Sequence, residues 1–100
     1  MTKTLLPPVH PGEVLREEFL KPLDLSPGRL AKAIGVPRTR IERLAEETVE
    51  LSPDTALRLA RYFGTTAEFW MNIQSRYALE KVRDEIGATL EAIRPHEAAA

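Results

Sequence analysis

The stretch LSPGRLAKAIGVPRTRIERL, residues 25–44, allows few folds. Ser26-Pro27 pairs an N-cap serine with proline at the first helical position, and Gly35 supplies a residue tolerant of positive φ where a helix must stop. Leu30, Ala31 and Ile34 recur at helical spacing before that glycine, and Ile41, Leu44 and Ala45 do so after Pro37. A helix-turn-helix packs two short helices steeply through a turn of about three or four residues, and the geometry is demanding. It needs a small residue at the crossing (Ala31), a turn residue (Gly35), an apolar plug behind it (Val36) and inward anchors on the second helix (Ile41, Leu44). With Leu30 and Ile34 completing the shared core, the match to one template is specific.

The rest of the chain supports the same class. A first helix follows HPGE, with Pro11 in its first turn, carries Val14, Leu15, Phe19 and Leu20 inward, and ends before Pro22. Ser52-Pro53-Asp54 repeats the cap grammar and starts a fourth helix that runs to Gly64. The fifth begins after Thr65-Thr66, extends through AEFWMNIQSRYALEKVRDEIGATLEAIR with Gly87 as its weak point, and stops at Pro95. The expectation is an all-α fold: a five-helix helix-turn-helix domain over residues 9–80 and an extended C-terminal helix over 81–94. Mobile ends are expected at 1–8 and 95–100. One hundred residues, 43% of them hydrophobic, suit one small domain with a single core. No run is apolar and long enough for a signal peptide or a bilayer span.

Several chemistries find no residues to carry them. With no cysteine there is no disulfide, thiolate zinc site or thiol nucleophile, a composition compatible with a reducing cytoplasm. His10 and His96 are not at metal-ligand spacing, and His10 is expected to cap or pack at the start of the first helix. Glu17 and Glu18 are adjacent, so on a helix they point about 100° apart and share no site. No phosphate loop or nucleophile elbow is present. The expectation is a protein that is not an enzyme, with no metal, cofactor, small-molecule substrate or membrane partner.

Net charge is −1, but the balance is local. Residues 25–44 carry Arg29, Lys32, Arg38, Arg40 and Arg43 against Glu42 alone, whereas residues 45–56 carry Glu46, Glu47, Glu50 and Asp54 with no base. With Ile41, Leu44 and Ala45 inward, Thr39 and Arg43 point most directly away, and Arg38, Arg40 and Glu42 lie to the sides. Arginine can bond guanine O6 and N7 together, threonine can meet a thymine methyl or a phosphate, and glutamate can accept from cytosine N4. Arg38, Thr39, Arg40, Glu42 and Arg43 are therefore the candidate base readers in a major groove, with Ser26, Arg29 and Lys32 as phosphate-positioning candidates. Phe69 is expected in the core and Trp70 only partly packed. Trp70 with Val82, Ile86, Leu90 and Ile93 then forms the candidate contact set for a dimer mate or protein partner.

HPGEVLREEFLKPLDLS, LAKAIGVPRTRI and DTALRLARYFGTTAEFWMNIQSRYALE occur in one order, and over residues 7–80 the chain resembles the HigA antitoxins. These are XRE-type, Cro/lambda-repressor-like antitoxins of HigBA toxin–antitoxin modules. The resemblance implies a dimeric cytoplasmic, nucleoid-associated protein that neutralises a RelE-like mRNA-cleaving toxin and represses its own operon at a palindromic operator in double-stranded DNA. One stretch departs from the family pattern. Where an Asn-Gly-Lys-Arg-Gly-like loop commonly approaches phosphate, this chain has Glu46, Glu47, Thr48, Val49 and Glu50, and an asparagine often seen at position 42 is also acidic. Either these carboxylates weaken the phosphate clamp, or the segment extends the third helix by a turn and points them away. The alternatives to an antitoxin are a protein-binding helix-turn-helix with weakened DNA binding and a stand-alone regulator.

Overall fold

The computed structural model describes residues 7–97. Among them every regular element is helical. The ends expected to be mobile lie largely outside the described residues.

His10 opens α1 (Pro11–Val14): its Nδ1 accepts a hydrogen bond from the Gly12 amide at 2.9 Å, and Pro11 occupies a first-turn position whose amide has no helical partner. The segment continues without interruption into a π-helical stretch, Leu15–Leu20, rather than the regular helix expected up to Pro22. Its wider turn shows in the bond from the Lys21 amide to the Arg16 carbonyl, 3.1 Å. Closing bonds over five residues brings Leu15 and Leu20 to one side, and both are buried. On a regular α-helix that spacing would point one of them away from the core.

α2 (Pro27–Ile34) starts as its sequence predicts, with Ser26 Oγ accepting from the Arg29 amide at 3.2 Å. It ends at Gly35, φ 73°, and the following Val36 amide bonds back to the Ala31 carbonyl. α3 (Arg38–Ala45) begins directly after Pro37. α4 (Pro53–Phe63) repeats the design, from a Ser52 cap on the Thr55 amide to Gly64 at φ 72°. Ala31, 1% exposed, sits between α2 and α3 and lets them close over Leu30, Ile41 and Leu44. Burying each such leucine or isoleucine contributes roughly 1.5–3 kcal/mol.

Two contacts hold the elements around α3. Gly12 lies so near its end that a Cβ there would stand 1.8 Å from the Leu44 carbonyl oxygen, so α1 can be seated only with glycine at this position. The linker from α3 to α4 is fastened by Gln74, 6% exposed, whose Oε1 accepts from the Leu51 amide at 2.7 Å.

α5 (Ala67–Glu85) is capped by Thr66, whose Oγ1 accepts from the Phe69 amide at 3.0 Å. On this helix Trp70 and Gln74 turn inward. The expected roles of the aromatic pair are thereby reversed. Trp70 is fully buried, with its Nε1 donating to Thr65 Oγ1 at 2.8 Å, while Phe69 is 41% exposed. Trp70 packs at a tilt against Phe19, centroids 5.1 Å apart, and belongs to the core rather than to a contact surface. The expected single C-terminal helix is also corrected. It breaks at Ile86, φ −115° and ψ 20°, and α6 (Gly87–Ala92) follows. Glycine is a poor helix former, and α6 buries no residue that could hold a continuous helix straight. These last turns stretch the molecule to 53 Å along its longest axis.

Candidate nucleic-acid interface

α3 stands as a ridge between two open depressions. Thr39, Arg40 and Arg43 line one of them together with Ser52, Asp54 and Arg58. Ser26 and Arg29 line the other with Arg16, Lys21, Glu42 and Glu46. The candidate base readers are thus gathered on the ridge, with two of the three phosphate candidates beside it. Lys32, the third, is exposed in the last turn of α2 and lines neither depression.

The arginines of the ridge are not equivalent. Arg38 Nε meets Glu42 Oε2 at 2.7 Å, an intrahelical pair four residues apart. Its stem crosses Gly28, where a Cβ would come within 3.4 Å of Arg38 Cδ. Arg40 Nη1 meets Asp54 Oδ2, also at 2.7 Å, but that carboxylate comes from the first turn of α4. Arg43 and Thr39 are exposed and form no side-chain hydrogen bond or ion pair among the described residues.

Asp54 is itself held by Arg58, Nε to Oδ2 at 3.2 Å, and Arg58 Nη1 donates to the carbonyls of Ile34 (2.7 Å) and Gly35 (3.3 Å). The turn between α2 and α3, the start of α4 and the side of α3 are therefore joined through one carboxylate and two guanidinium groups. Arg58 first, and then Arg40, hold the Asp54 carboxyl below its ordinary pKa, so it stays ionised at neutral pH.

The acidic segment behind α3 does not extend the helix. α3 ends at Ala45, and Glu47 adopts φ 64°, the left-handed conformation that Gly35 and Gly64 supply at the other helix ends. The Thr48 amide then bonds back to the Arg43 carbonyl at 3.0 Å. Glu47 turns toward the π-helical stretch and pairs with Arg16, Nη2 to Oε2 at 3.1 Å. Arg16 also donates to the Ala45 carbonyl, closing the end of α3, and to Glu17 at 2.9 Å. Glu17 and Glu47 raise the Arg16 pKa, while Lys21 and then Arg16 lower that of Glu17. Of the four acidic residues at positions 42, 46, 47 and 50, two pair with neighbouring arginines, and Glu46 and Glu50 form no ion pair among the described residues.

Sequence reasoning missed Arg16, Asp54 and Arg58. In the sequence Asp54 reads as part of the α4 cap and as acid, and the two arginines lie on other elements than the recognition helix. The signal available for Arg58 was its place four residues after Asp54, the spacing of a helical ion pair.

At the far end of the molecule Val82, Ile86 and Ile93 are exposed and Leu90 is half-buried. This apolar run has no covering element among the described residues. No helix is long and apolar enough to cross a membrane.

The profile of the helix-turn-helix family HTH_3 matches residues 17–70, which span the π-helical stretch to Trp70 and include the whole ridge. The chain is 47% identical over 83 residues to virulence-associated protein I of Dichelobacter nodosus, covering 83% of this chain and 77% of that protein. It is 37% identical over 95 residues to antitoxin HigA-1 of Vibrio cholerae, covering 95% of this chain and 90% of the relative. In structure it is similar to the Pseudomonas aeruginosa antitoxin HigA solved with the higBA promoter, with a TM-score of 0.85 and 44% identity over 88% of this chain and 97% of that one. The chain belongs to the helix-turn-helix family HTH_3 and, within it, to the HigA antitoxins.

Proposed function

We propose that this protein is the antitoxin of a type II toxin–antitoxin module, which represses its own operon by binding a palindromic operator as a homodimer and neutralises a RelE-like toxin. The observation that carries the DNA-binding half is the α3 ridge: Thr39, Arg40 and Arg43 exposed on a helix fixed from four sides, in a chain whose HigA relative was solved on a promoter. α3 enters the major groove and Arg38, Thr39, Arg40, Glu42 and Arg43 face base edges, with Ser26, Arg29 and Lys32 toward the backbone. Val82, Ile86, Leu90 and Ile93 are the surface for the dimer mate. The protein acts by binding, without catalysis, in the cytoplasm at the nucleoid.

Selection of binding sites from random duplex DNA tests this, with wild type beside the Arg38/Arg40/Arg43 triple-alanine variant. The expected result is a palindromic consensus with half-sites about 34–36 Å apart, or a multiple, which the variant loses. No enrichment by the wild type would remove repression from the proposal. The unpaired Glu46 and Glu50 favour the second reading in that case, a helix-turn-helix that serves protein contact.

A further inference from the structure

We propose that Asp54 is a positioning residue for DNA reading, which holds the Arg40 guanidinium in register so that one edge of it is presented to bases. The inference rests on the DNA-binding function proposed above and extends it to a residue outside the recognition helix.

An exposed arginine is a poor reader unless something fixes it, because most of its rotamer freedom is lost at the moment of contact. Arg40 is already fixed. Its Nη1 is engaged by Asp54 Oδ2 at 2.7 Å, which leaves Nε and Nη2, an edge with the two donors that guanine O6 and N7 accept together. The carboxylate is restrained in turn, since Arg58 meets it at 3.2 Å and is itself anchored at 2.7 Å to the Ile34 carbonyl. Glu42 serves Arg38 differently. It lies on the same helix, so its carboxylate ties Arg38 to α3 itself and not to a second element.

The charge of Asp54 adds a second effect of opposite sign on unselective binding. A carboxylate at the edge of the interface repels phosphate, lowering affinity for every duplex alike. Against a guanine at the right position, the orientation of Arg40 outweighs that repulsion; against other sequences it does not. Asp54 therefore raises selectivity while lowering background affinity.

The test measures affinity of wild type, Asp54→Asn, Arg40→Ala and the double variant for the selected operator and for a scrambled duplex at one salt concentration. Asp54→Asn is expected to lose about tenfold on the operator, which is about 1.4 kcal/mol, while binding the scrambled duplex as well as wild type or better. In the Arg40→Ala background the same substitution is expected to cost the operator nothing further. A parallel loss on both duplexes would indicate damage to the fold, and a loss that persists without Arg40 would mean Asp54 acts through another group; either result overturns the inference. So does Asp54→Asn with wild-type selectivity. Wild type that distinguishes no operator from the scrambled duplex overturns the DNA-reading function and this inference together.

Discussion

A left-handed backbone at a residue with a side chain is uncommon, and Glu47 pays for its place with strain. Its ion pair with Arg16 is partly exposed and offsets little of that. Glu47→Gly and Glu47→Val both delete the pair, but glycine accepts φ 64° freely while a β-branched residue is the least suited to it. The glycine variant is expected to be more stable than the valine variant by about 1–2 kcal/mol in urea denaturation. Equal midpoints would show that position 47 does not hold this conformation in solution. His10 makes a second residue-scale prediction. Burial pushes its pKa below the ordinary value of 6.5, with Glu47 and Glu50 opposing and Arg16 adding to the shift, and its capping Nδ1 must be unprotonated to accept from Gly12. Below that ordinary value the unfolded chain takes up a proton that folded His10 refuses. Stability is therefore expected to fall as pH drops from 6.5 and to level off below the folded pKa. His10→Asn keeps a capping oxygen and is expected to flatten that part of the profile.

At the scale of elements, the acid behind the reading helix acquires a reason. Arg16 closes the last carbonyl of α3 and carries Glu47 in the same grip, so one of the carboxylates nearest the proposed phosphate path is compensated by the preceding element. Arg16→Met is expected to weaken binding to any duplex, measured as a uniform loss across sequences, and Glu47→Gln in that background is expected to recover part of it. A gain of affinity on losing Arg16's partner alone, with none in the double variant, would contradict this. What could be seen of these elements beforehand follows their physics. The starts of α2 and α4 were legible because each cap is a bond between residues three apart, written as Ser-Pro in the chain. The π-helical stretch was not, because Val14, Leu15, Phe19 and Leu20 also read as the inward face of a regular helix, and the five-residue step from Leu15 to Leu20 is hidden among steps of four. For the aromatic pair the start of the helix was legible but its rotation was not: Phe69 and Trp70 are one residue, about 100°, apart, and which of them faces inward is decided by packing against Phe19 and by the Thr65 hydroxyl that accepts from the indole. Arg16–Ala45 and Arg40–Asp54 join residues 29 and 14 apart, and nothing local in the chain announces either.

At the scale of the whole molecule, a domain with a closed core carries an exposed apolar run on its long axis. A dimer mate seated there would relate two reading helices by a two-fold axis, as a palindrome requires. Val82→Glu with Ile86→Glu is expected to give a monomer by sedimentation while the helical domain melts as before, since neither side chain is in the core. Operator affinity is then expected to fall steeply with binding to an isolated half-site nearly unchanged. A dimer that survives both substitutions would place the interface elsewhere.

The bond between Gln74 and the Leu51 amide also sets how the linker after the reading helix meets exchanging solvent. Leu51 lies in no helix, and a loop amide ordinarily exchanges within the open fluctuations of its own segment. Here the acceptor belongs to α5 and is buried, so releasing this one hydrogen requires α5 to leave the core. In deuterated buffer the Leu51 amide is expected to persist with the slowest amides of α4, while those of Val49 and Glu50 on the same linker are lost early. The linker has one slow clock in it, and that clock is set by a helix more than twenty residues away.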